Sequence, residues 1–220
     1  MRRFNKEKFK RLLDTSVFGQ NLIYFPAIAS TNDHAFNMLG GIDGSELENL
    51  NGTLVLADEQ TGGRGRFNRQ WLSPPGGLWF SLIFRTGLRA DKIPSITLIA
   101  AFCAADVLIK HYNINVNIKW PNDLYCKDYK FGGILSESKK IGPSHMIILG
   151  MGLNIAIDKK SIDKIDKKAV NLQDISKKVI EPELLLVRIL KNFEEQYNHF
   201  SKSGEIGSIF KKIEKILRYD

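Results

Sequence analysis

The chain has 220 residues, 43% of them apolar and 25% charged, which is the balance of an ordinary globular domain rather than a disordered or fibrous chain. Its apolar runs are interrupted and short for a bilayer span, and no secretory signal follows the basic first residues. We therefore expect a cytoplasmic protein without a membrane partner. The two cysteines predict neither a disulfide framework nor a metal cluster.

The net charge of +8 is concentrated at the two ends of the chain. Residues 1–11 hold six basic residues and one acidic residue, residues 12–150 hold twelve of each, and residues 151–220 hold fourteen basic and eleven acidic. A nucleic-acid-binding surface would need basic residues across a folded face. A nucleic-acid-binding module that uses the basic ends and a basic loop is therefore kept only as an alternative, and we expect no nucleic-acid partner.

The first half of the chain shows strand and helix patterns in alternation. They predict, in order, a basic helix over 5–13, a strand over 21–27, a helix that begins after a cap at Ser30 and ends at Gly40-Gly41, a polar connection over 42–51, a strand over 53–57, a glycine- and arginine-rich loop over 62–71, a strand over 78–84 and a long helix over 91–111.

The second half begins with a half-buried strand pattern over 116–120 and a turn over 121–123. It then predicts a hairpin of 124–126 with 130–137, an apolar strand over 146–153, a polar connection over 158–180, and helices over 181–200 and 207–217. This order predicts an α+β fold, a mixed β-sheet flanked by α-helices. We divide the chain into a basic N-terminal extension, residues 1–20, and one domain, residues 21–220.

Residues 62–71 read Gly-Gly-Arg-Gly-Arg-Phe-Asn-Arg-Gln-Trp. Glycine permits close backbone approach to a ligand, and arginine supplies a planar charged group suited to phosphate or carboxylate. The pattern indicates a mobile loop that folds over an anion, although a solvated basic turn has the same composition.

Lys119 ends a predicted strand directly before the turn. Because side chains alternate along a strand, Lys119 points away from both of its strand neighbours and can project into a cavity. Asn122 and Asp123 are natural turn residues, and Asp123 is also a candidate to ligate a metal ion or to orient Lys119.

Glycines interrupt two of the predicted strands, at Gly132-Gly133 and at Gly150-x-Gly152. A glycine inside a strand indicates a bulge or the close approach of a ligand or another part of the chain. The spacing matches neither the dinucleotide-binding glycine pattern nor a phosphate-binding loop.

Together these motifs resemble the catalytic domain of the biotin–protein ligases, also called biotin–[acetyl-CoA-carboxylase] ligases. The matching stretches are Ser30-Thr31-Asn32, Gln60-x-x-Gly63-Arg64-Gly65-Arg66, Trp71-x-Ser73-Pro74, Lys119-Trp120-Pro121-Asn122-Asp123, Gly133-Ile134-Leu135-x-Glu137 and Gly150-x-Gly152-x-Asn154. Each is weak alone, whereas six in the family's order and spacing are specific. The resemblance implies a class II synthetase-like biotin/lipoate ligase catalytic domain for residues 21–220.

The resemblance also implies a reaction. Such enzymes make biotinyl-5′-AMP from biotin and ATP with Mg²⁺, and then transfer biotin to one lysine of a biotin carboxyl carrier protein of a carboxylase. Biotin is then the substrate, ATP and Mg²⁺ are co-substrate and metal, and no tightly bound prosthetic group is expected. We expect a monomer or a weak homodimer.

The residues that match the family's motifs receive expected roles from the resemblance. The expected catalytic residues are Lys119, between the biotin carboxylate and the α-phosphate, and Arg64 and Arg66, on a loop that closes over the adenylate. The expected biotin contacts are Ser30, Thr31, Asn32, Gln60, Gly63 and Gly133. The expected nucleotide contacts are Arg66, Arg69, Trp71, Asn122 and Asn154. Asp123 is the one candidate metal ligand, and the metal site is otherwise unassigned.

The chain departs from the family's pattern in three places. Phe67-Asn68 stand where many members have a further glycine, which predicts altered loop dynamics. We expect neither the N-terminal winged helix-turn-helix domain nor the C-terminal β-barrel, so a repressor role is not expected. The chain is then a minimal form, or its affinity for nucleotide and carrier is reduced. A lipoate–protein ligase or octanoyltransferase of the same fold, and a degenerate ligase that binds biotin without catalysis, stay open.

Overall fold

The computed structural model describes residues 3–41, 46–165 and 168–218. Its strands are β1 (Asn21–Phe25), β2 (Thr53–Ala57), β3 (Gly77–Thr86), β4 (Asn117–Lys119), β5 (Asp123–Cys126), β6 (Tyr129–Ile141), β7 (Ser144–Asn154) and β8 (Leu217–Arg218). They form one sheet in the order β1-β2-β3-β7-β6-β5-β4-β8. The pairs β1–β2 and β4–β8 are parallel and the other pairs are antiparallel, so the predicted mixed sheet is confirmed.

Helices cover both faces of this sheet. They are α1 (Lys6–Leu12), α2 (Thr31–Asn37), α3 (Leu47–Leu50), α4 (Ile93–Tyr112), α5 (Lys159–Ile165), α6 (Leu172–Ile175), α7 (Pro182–Ser203) and α8 (Gly207–Glu214). The two long helices, α4 and α7, pack on each other and belong to the main core. The much shorter α2 lies on the opposite face, against β2, β3 and β7.

Side-chain alternation along β3 separates the two faces. Leu78, Phe80, Leu82 and Phe84 belong to the main core beneath the long helices. The intervening positions face α2, and one of them is the buried polar residue Ser81. The layer that covers the α2 face of the sheet is therefore thinner than the layer of long helices on the other face, and this face of the sheet is more polar.

The helix α4, taken with the three residues before it, is long and apolar enough to cross a membrane by composition alone. The expectation that no apolar stretch reaches that length is therefore wrong for residues 90–112. Most of this segment is buried inside the fold. Burial against β6 and α7 accounts for its apolar composition.

The residues before β1 are packed on the rest of the domain. Phe9 of α1 is fully buried in the main core, where α1 lies against α7. The buried Glu194 of α7 accepts backbone N–H groups from Ser16, Val17 and Phe18 at 2.7–2.8 Å. The boundary at residue 20 stays a prediction, and residues 1–2 lie outside the described residues.

Three predicted segments differ from the structure. The connection over 42–51 contains α3, with 42–45 outside the described residues, and the connection over 158–180 contains α5 and α6, with 166–167 outside them. Single buried residues such as Ile162 and Leu172 fix these short helices, so no periodic apolar pattern marks them. The last helix ends at Glu214 rather than Leu217, because residues 217–218 pair with β4 as a sheet edge.

Candidate active site

A cavity of about 550 Å³ opens on the face of the sheet that carries α2. Its wall includes twelve of the fourteen predicted site residues, namely Ser30, Thr31, Asn32, Gln60, Arg64, Arg66, Arg69, Trp71, Asn122, Asp123, Gly133 and Asn154. Lys119 and Gly63 are the two that do not line it. Residues that are distant in sequence therefore meet at one cavity, which is the size of an ordinary small-molecule site.

The sheet register places Lys119 on the cavity face. One row of paired residues runs across five strands through Trp79, Gly152, Gly133, Asp123 and Lys119. Directly paired residues point to the same face of a sheet. Lys119 is half-buried, and the four residues that follow it, 120–123, form the cavity wall.

The strand glycines leave room for protein side chains rather than for a ligand alone. A Cβ atom at Gly150 would lie 2.0 Å from Asn32 Oδ1, and one at Gly152 would lie 2.6 Å from Trp71 Nε1. A Cβ at Gly63 would lie 2.4 Å from the carbonyl oxygen of Trp71. The predicted close approach is therefore present, and its partners are Asn32 and Trp71.

Six polar side chains form a continuous hydrogen-bonded series at one end of the cavity, which we call the polar chain. Its members are Glu137, Asn32, Ser81, Thr31, Gln60 and Ser73. Asn32, Thr31 and Gln60 line the cavity, and the other three members lie outside its lining and bond to them. We call this end of the cavity the inner end. Ser81 Oγ lies 2.8 Å from Thr31 Oγ1 and 2.6 Å from Asn32 Oδ1, and Asn32 Nδ2 donates to Glu137 Oε2 at 2.9 Å.

Gln60 continues the polar chain toward the loop. Its Oε1 accepts from the backbone N–H and the hydroxyl of Thr31 at 2.8 and 3.0 Å, and its Nε2 donates to Ser73 Oγ at 2.8 Å. Ser30 caps α2 by accepting the backbone N–H of Asp33 at 3.2 Å. Buried and half-buried side chains bonded in this way hold one arrangement before any ligand arrives.

The three arginines of the loop lie in different surroundings. Arg64 Nη2 lies 2.5 Å from Asp33 Oδ1 and within 3.1 Å of both carboxylate oxygens of Glu137. Burial lowers the pKa of the Arg64 guanidinium, but its bonds to Asp33 and Glu137 outweigh that effect and the pKa is raised. Arg66 donates to Asn122 Oδ1 at 3.3 Å in an exposed contact and lies 5.0 Å from the Phe67 ring centroid, and the Arg69 side chain is exposed.

The opposite end of the cavity, which we call the outer end, contains polar atoms without partners. Trp71 Nε1 and Asn154 Oδ1 are buried and bond to nothing in the part of the chain that the structure describes. Lys130 Nζ lies 5.0 Å from the Trp71 ring centroid and 2.6 Å from Asp123 Oδ2. The Trp71 Nε1 donor and the Asn154 Oδ1 acceptor are therefore able to bond to a ligand that binds near the Trp71 ring.

The structure adds no further ligand residues to the predicted metal site at Asp123, as far as the described residues show. Within residues 3–41, 46–165 and 168–218, no three His, Cys, Asp or Glu side chains are grouped as metal ligands would be. The Asp123 carboxylate is ion-paired with Lys130, and its role as a metal ligand stays a prediction.

Sequence reasoning missed Ser81 and Lys130. Ser81 was detectable in principle, because it is the single polar residue within the apolar pattern over 78–84. Lys130 gave no signal, since its contacts with Trp71 and Asp123 join separate parts of the chain.

The fold and this cavity define a class of ligase domain. Residues 24–154 match the biotin/lipoate A/B protein ligase family, and the chain belongs to that family. The architecture is that of solved biotin protein ligases: the Aquifex aeolicus enzyme in complex with biotin and ATP superposes with a TM-score of 0.71 at 27% identity, covering 91% of this chain and 79% of that one. The predicted fold class is confirmed.

Two curated relatives are similar to this chain over most of its length. The bifunctional ligase/repressor BirA of Bacillus spizizenii is 36% identical over 198 residues, which cover 87% of this chain and 58% of the relative. The biotin–[acetyl-CoA-carboxylase] ligase of Paracoccus denitrificans is 32% identical over 162 residues, which cover 71% of this chain and 65% of the relative. The chain thus spans somewhat over half the length of the first of these relatives.

Proposed function

We propose that this protein is a biotin–protein ligase, which activates biotin with ATP and transfers it to a lysine of a biotin carboxyl carrier domain. The observation that carries the proposal is the polar chain at the inner end of the cavity. A bicyclic ureido group is neutral and both donates and accepts hydrogen bonds, so it suits a wall of hydroxyls and amides that are already held in place. The names of the relatives support the same substrate.

The outer end supports a nucleotide. An adenine ring presents a flat π-face, ring-nitrogen acceptors and an amino donor. Trp71 Nε1 and Asn154 Oδ1 are the matching donor and acceptor, and both lack partners in the described chain. Burying these atoms without partners costs about 1–3 kcal/mol each, and a ligand that bonds to them recovers that cost.

The chemistry requires positive charge between the two ends. A carboxylate oxygen of biotin attacks the α-phosphorus, pyrophosphate leaves, and charge builds on the phosphoryl oxygens in the transition state. Lys119, on the cavity face beside Asp123, is our candidate to stabilise that charge, with Arg66 of the loop as a second cation. Mg²⁺ would enter with ATP and neutralise phosphate charge.

The second step needs no nucleophile from this chain. The amine of the acceptor lysine attacks the carbonyl of the mixed anhydride, an amide bond forms, and AMP leaves. Closure of the loop over the adenylate would exclude water, which otherwise hydrolyses the anhydride. We propose that this reaction takes place in the cytoplasm.

The direct test is incubation with biotin, ATP, Mg²⁺ and a carrier domain, followed by the intact mass of the carrier. We expect the mass of one biotinyl group to be added, and none on a carrier whose acceptor lysine is replaced by arginine. An unmodified carrier, with no pyrophosphate released in the presence of biotin, contradicts the proposal.

A lipoate–protein ligase is the second candidate, because the family includes lipoate enzymes. Lipoate ends in an apolar dithiolane ring that would leave the inner hydroxyls and amides without ligand bonds. Pyrophosphate release measured with biotin, lipoate or octanoate in parallel separates these readings, and we expect release with biotin alone.

A further inference from the structure

The motif Gly133-Ile134-Leu135-x-Glu137 ends in a carboxylate for which the expected reaction supplies no role. Glu137 lies on β6 with 26% of its side chain exposed. Its Oε1 and Oε2 atoms lie 3.1 and 3.0 Å from Arg64 Nη2, and Oε2 also accepts from Asn32 Nδ2 at 2.9 Å. One side chain thus joins the glycine- and arginine-rich loop to the polar chain.

A second carboxylate completes the arrangement. Asp33, in the first turn of α2, lies 2.5 Å from the same Nη2 atom of Arg64. The two carboxylates stand on a helix and a strand, so their positions are fixed by regular structure, and charge-assisted bonds of this kind are the strong ones. The raised pKa of Arg64 has these bonds as its cause, against the opposing effect of burial.

The loop divides into two parts around this contact. We call residues 62–64 and 70–71 the root, and residues 65–69 the tip. The root is tied by the Gly62 N–H to the Ala29 carbonyl at 2.7 Å and by the Trp71 N–H to the Gly63 carbonyl at 2.9 Å. In the tip, Phe67 is 80% exposed, and the Arg66 guanidinium lies 5.0 Å from the Phe67 ring centroid and 3.3 Å from Asn122 Oδ1.

We propose that Glu137 is a positioning residue which, together with Asp33, anchors the loop root through Arg64, so that the tip with Arg66 moves alone over a bound adenylate. The proposal rests on the proposed function for the identity of that ligand. Arg64 then serves the biotin end of the cavity, by fixing the loop against Asn32 and the polar chain, and Arg66 is the loop cation that meets phosphate.

The first test is kinetic and uses Glu137→Gln, which keeps the shape of the side chain and an acceptor for Asn32 but removes the charge that holds Arg64. We expect KM for biotin to rise about tenfold, with KM for ATP and kcat of adenylate formation within about twofold of wild type. The matched control is Glu48→Gln, which removes a carboxylate from the exposed ion pair with Arg85, outside the cavity, and should leave all three constants unchanged. A fall in kcat with KM for biotin unchanged, or no change at all, overturns the positioning role.

A double-mutant cycle distinguishes loss of the Glu137–Arg64 ion pair from a general loss of structure. Glu137→Gln and Arg64→Gln together should weaken biotin binding no more than the stronger single change, because both remove the same contact. Glu137→Gln and Arg66→Gln should give effects that multiply. If the effects of Glu137→Gln and Arg64→Gln on biotin binding multiply, the proposal that Glu137 acts through Arg64 is contradicted.

The second test needs no turnover. Limited trypsin digestion of the ligand-free protein should cleave wild type after Arg66 and Arg69, with Arg64 protected by its ion pairs. In Glu137→Gln, cleavage after Arg64 should become about tenfold faster at an unchanged melting temperature. Equal rates after Arg64 in the two proteins overturn the anchor. A wild-type protein that does not activate biotin contradicts the proposed function but leaves this digestion test valid.

Discussion

The two ends of the cavity differ in how complete they are without a ligand. At the inner end, Asn32, Ser81, Thr31 and Gln60 bond to one another and are held by α2, β3 and β6. At the outer end, two buried polar atoms have no partner in the described chain, and the wall is partly a loop tip with the exposed Phe67. The inner end is arranged before binding except for Arg64 Nε, which is also buried without a partner in the described chain, whereas the outer end is completed by the ligand.

This difference predicts an order of events. A pre-arranged end pays little ordering cost when its ligand binds, whereas a loop must lose conformational freedom to close. We therefore expect biotin to bind in the absence of ATP, and the outer end to become ordered only when the nucleotide or the adenylate is present. The predictions below test this contrast, from the largest expected effect to the smallest.

Lys119→Ala should have the largest effect, because in the proposed reaction Lys119 stabilises the charge that builds on the α-phosphate. Removing a fixed charge near developing phosphoryl charge costs about 3–4 kcal/mol, or a loss of roughly 10²–10³-fold in the rate of adenylate formation. Biotin binding, which uses the inner end, should change far less. Pyrophosphate release and biotin calorimetry measure the two quantities.

The melting temperature of Lys119→Ala is the control for folding. Near-normal adenylate synthesis would remove Lys119 from the mechanism. Equal losses in biotin affinity and in rate would mean instead that Lys119 belongs to the inner end.

Paired glycine substitutions in β7 address the two ends separately. In Gly150→Ala the new Cβ would lie 2.0 Å from Asn32 Oδ1, and Asn32 cannot move without breaking the polar chain. We expect biotin affinity to fall by about 100-fold, with about 1–3 kcal/mol lost from the free energy of unfolding. In Gly152→Ala the clash is with Trp71, so ATP binding should weaken while biotin affinity changes little.

Gly87→Ala is the matched control, because no atom of the described residues, its two chain neighbours apart, lies within 4 Å of a Cβ atom at Gly87. It should leave both affinities and the melting temperature close to wild type. A Gly150→Ala protein that binds biotin normally would show that Asn32 has no part in biotin recognition.

The sequence marked residues at both ends of the cavity and missed one at each, Ser81 at the inner end and Lys130 at the outer end. Trp71 and Asn154 stand within motifs that occur in the family's order, so the resemblance alone predicted them to be nucleotide contacts. The polar chain depends on Ser81, which contacts Thr31 and Asn32 across about fifty residues of sequence, and on the register that places Ser81 opposite Gly150. Such contacts are tertiary, and no local pattern encodes them.

The place of Arg64 shows the same limit. Its position in the loop, beside Gly63 and Gly65, predicted a cation that faces an anion, and the resemblance to biotin–protein ligases placed that cation over the adenylate. Its ion pairs with Asp33 and Glu137 depend on how α2 and β6 meet in the folded chain. The loop pattern and the resemblance therefore predicted a role for Arg64, but neither indicated the two carboxylates that it faces in the fold.

Ser81→Ala should lower the affinity for biotin by a smaller factor than Gly150→Ala does. The change removes a hydroxyl and leaves Asn32 Oδ1 with one bond fewer, at a cost of about 1–3 kcal/mol for a buried acceptor. We expect biotin affinity to fall about tenfold with ATP affinity unchanged. Ser136→Ala is the control, since Ser136 bonds Thr97 on the opposite face of the sheet and should not affect biotin.

Phe67→Gly should have the smallest effect on stability, and it tests whether the tip is separate from the rest of the domain. Phe67 adopts φ 56° and ψ 39°, a left-handed conformation that costs a side-chain-bearing residue about 1–2 kcal/mol and glycine almost nothing. Glycine gains a similar amount of entropy in the unfolded chain, so the two effects nearly cancel. Because the ring is 80% exposed, little packing is lost, and we expect the melting temperature to stay within about 3 °C of wild type. A fall of about 6 °C or more would mean that the tip is packed into the domain, and the contrast between a fixed inner end and an incomplete outer end would then fail.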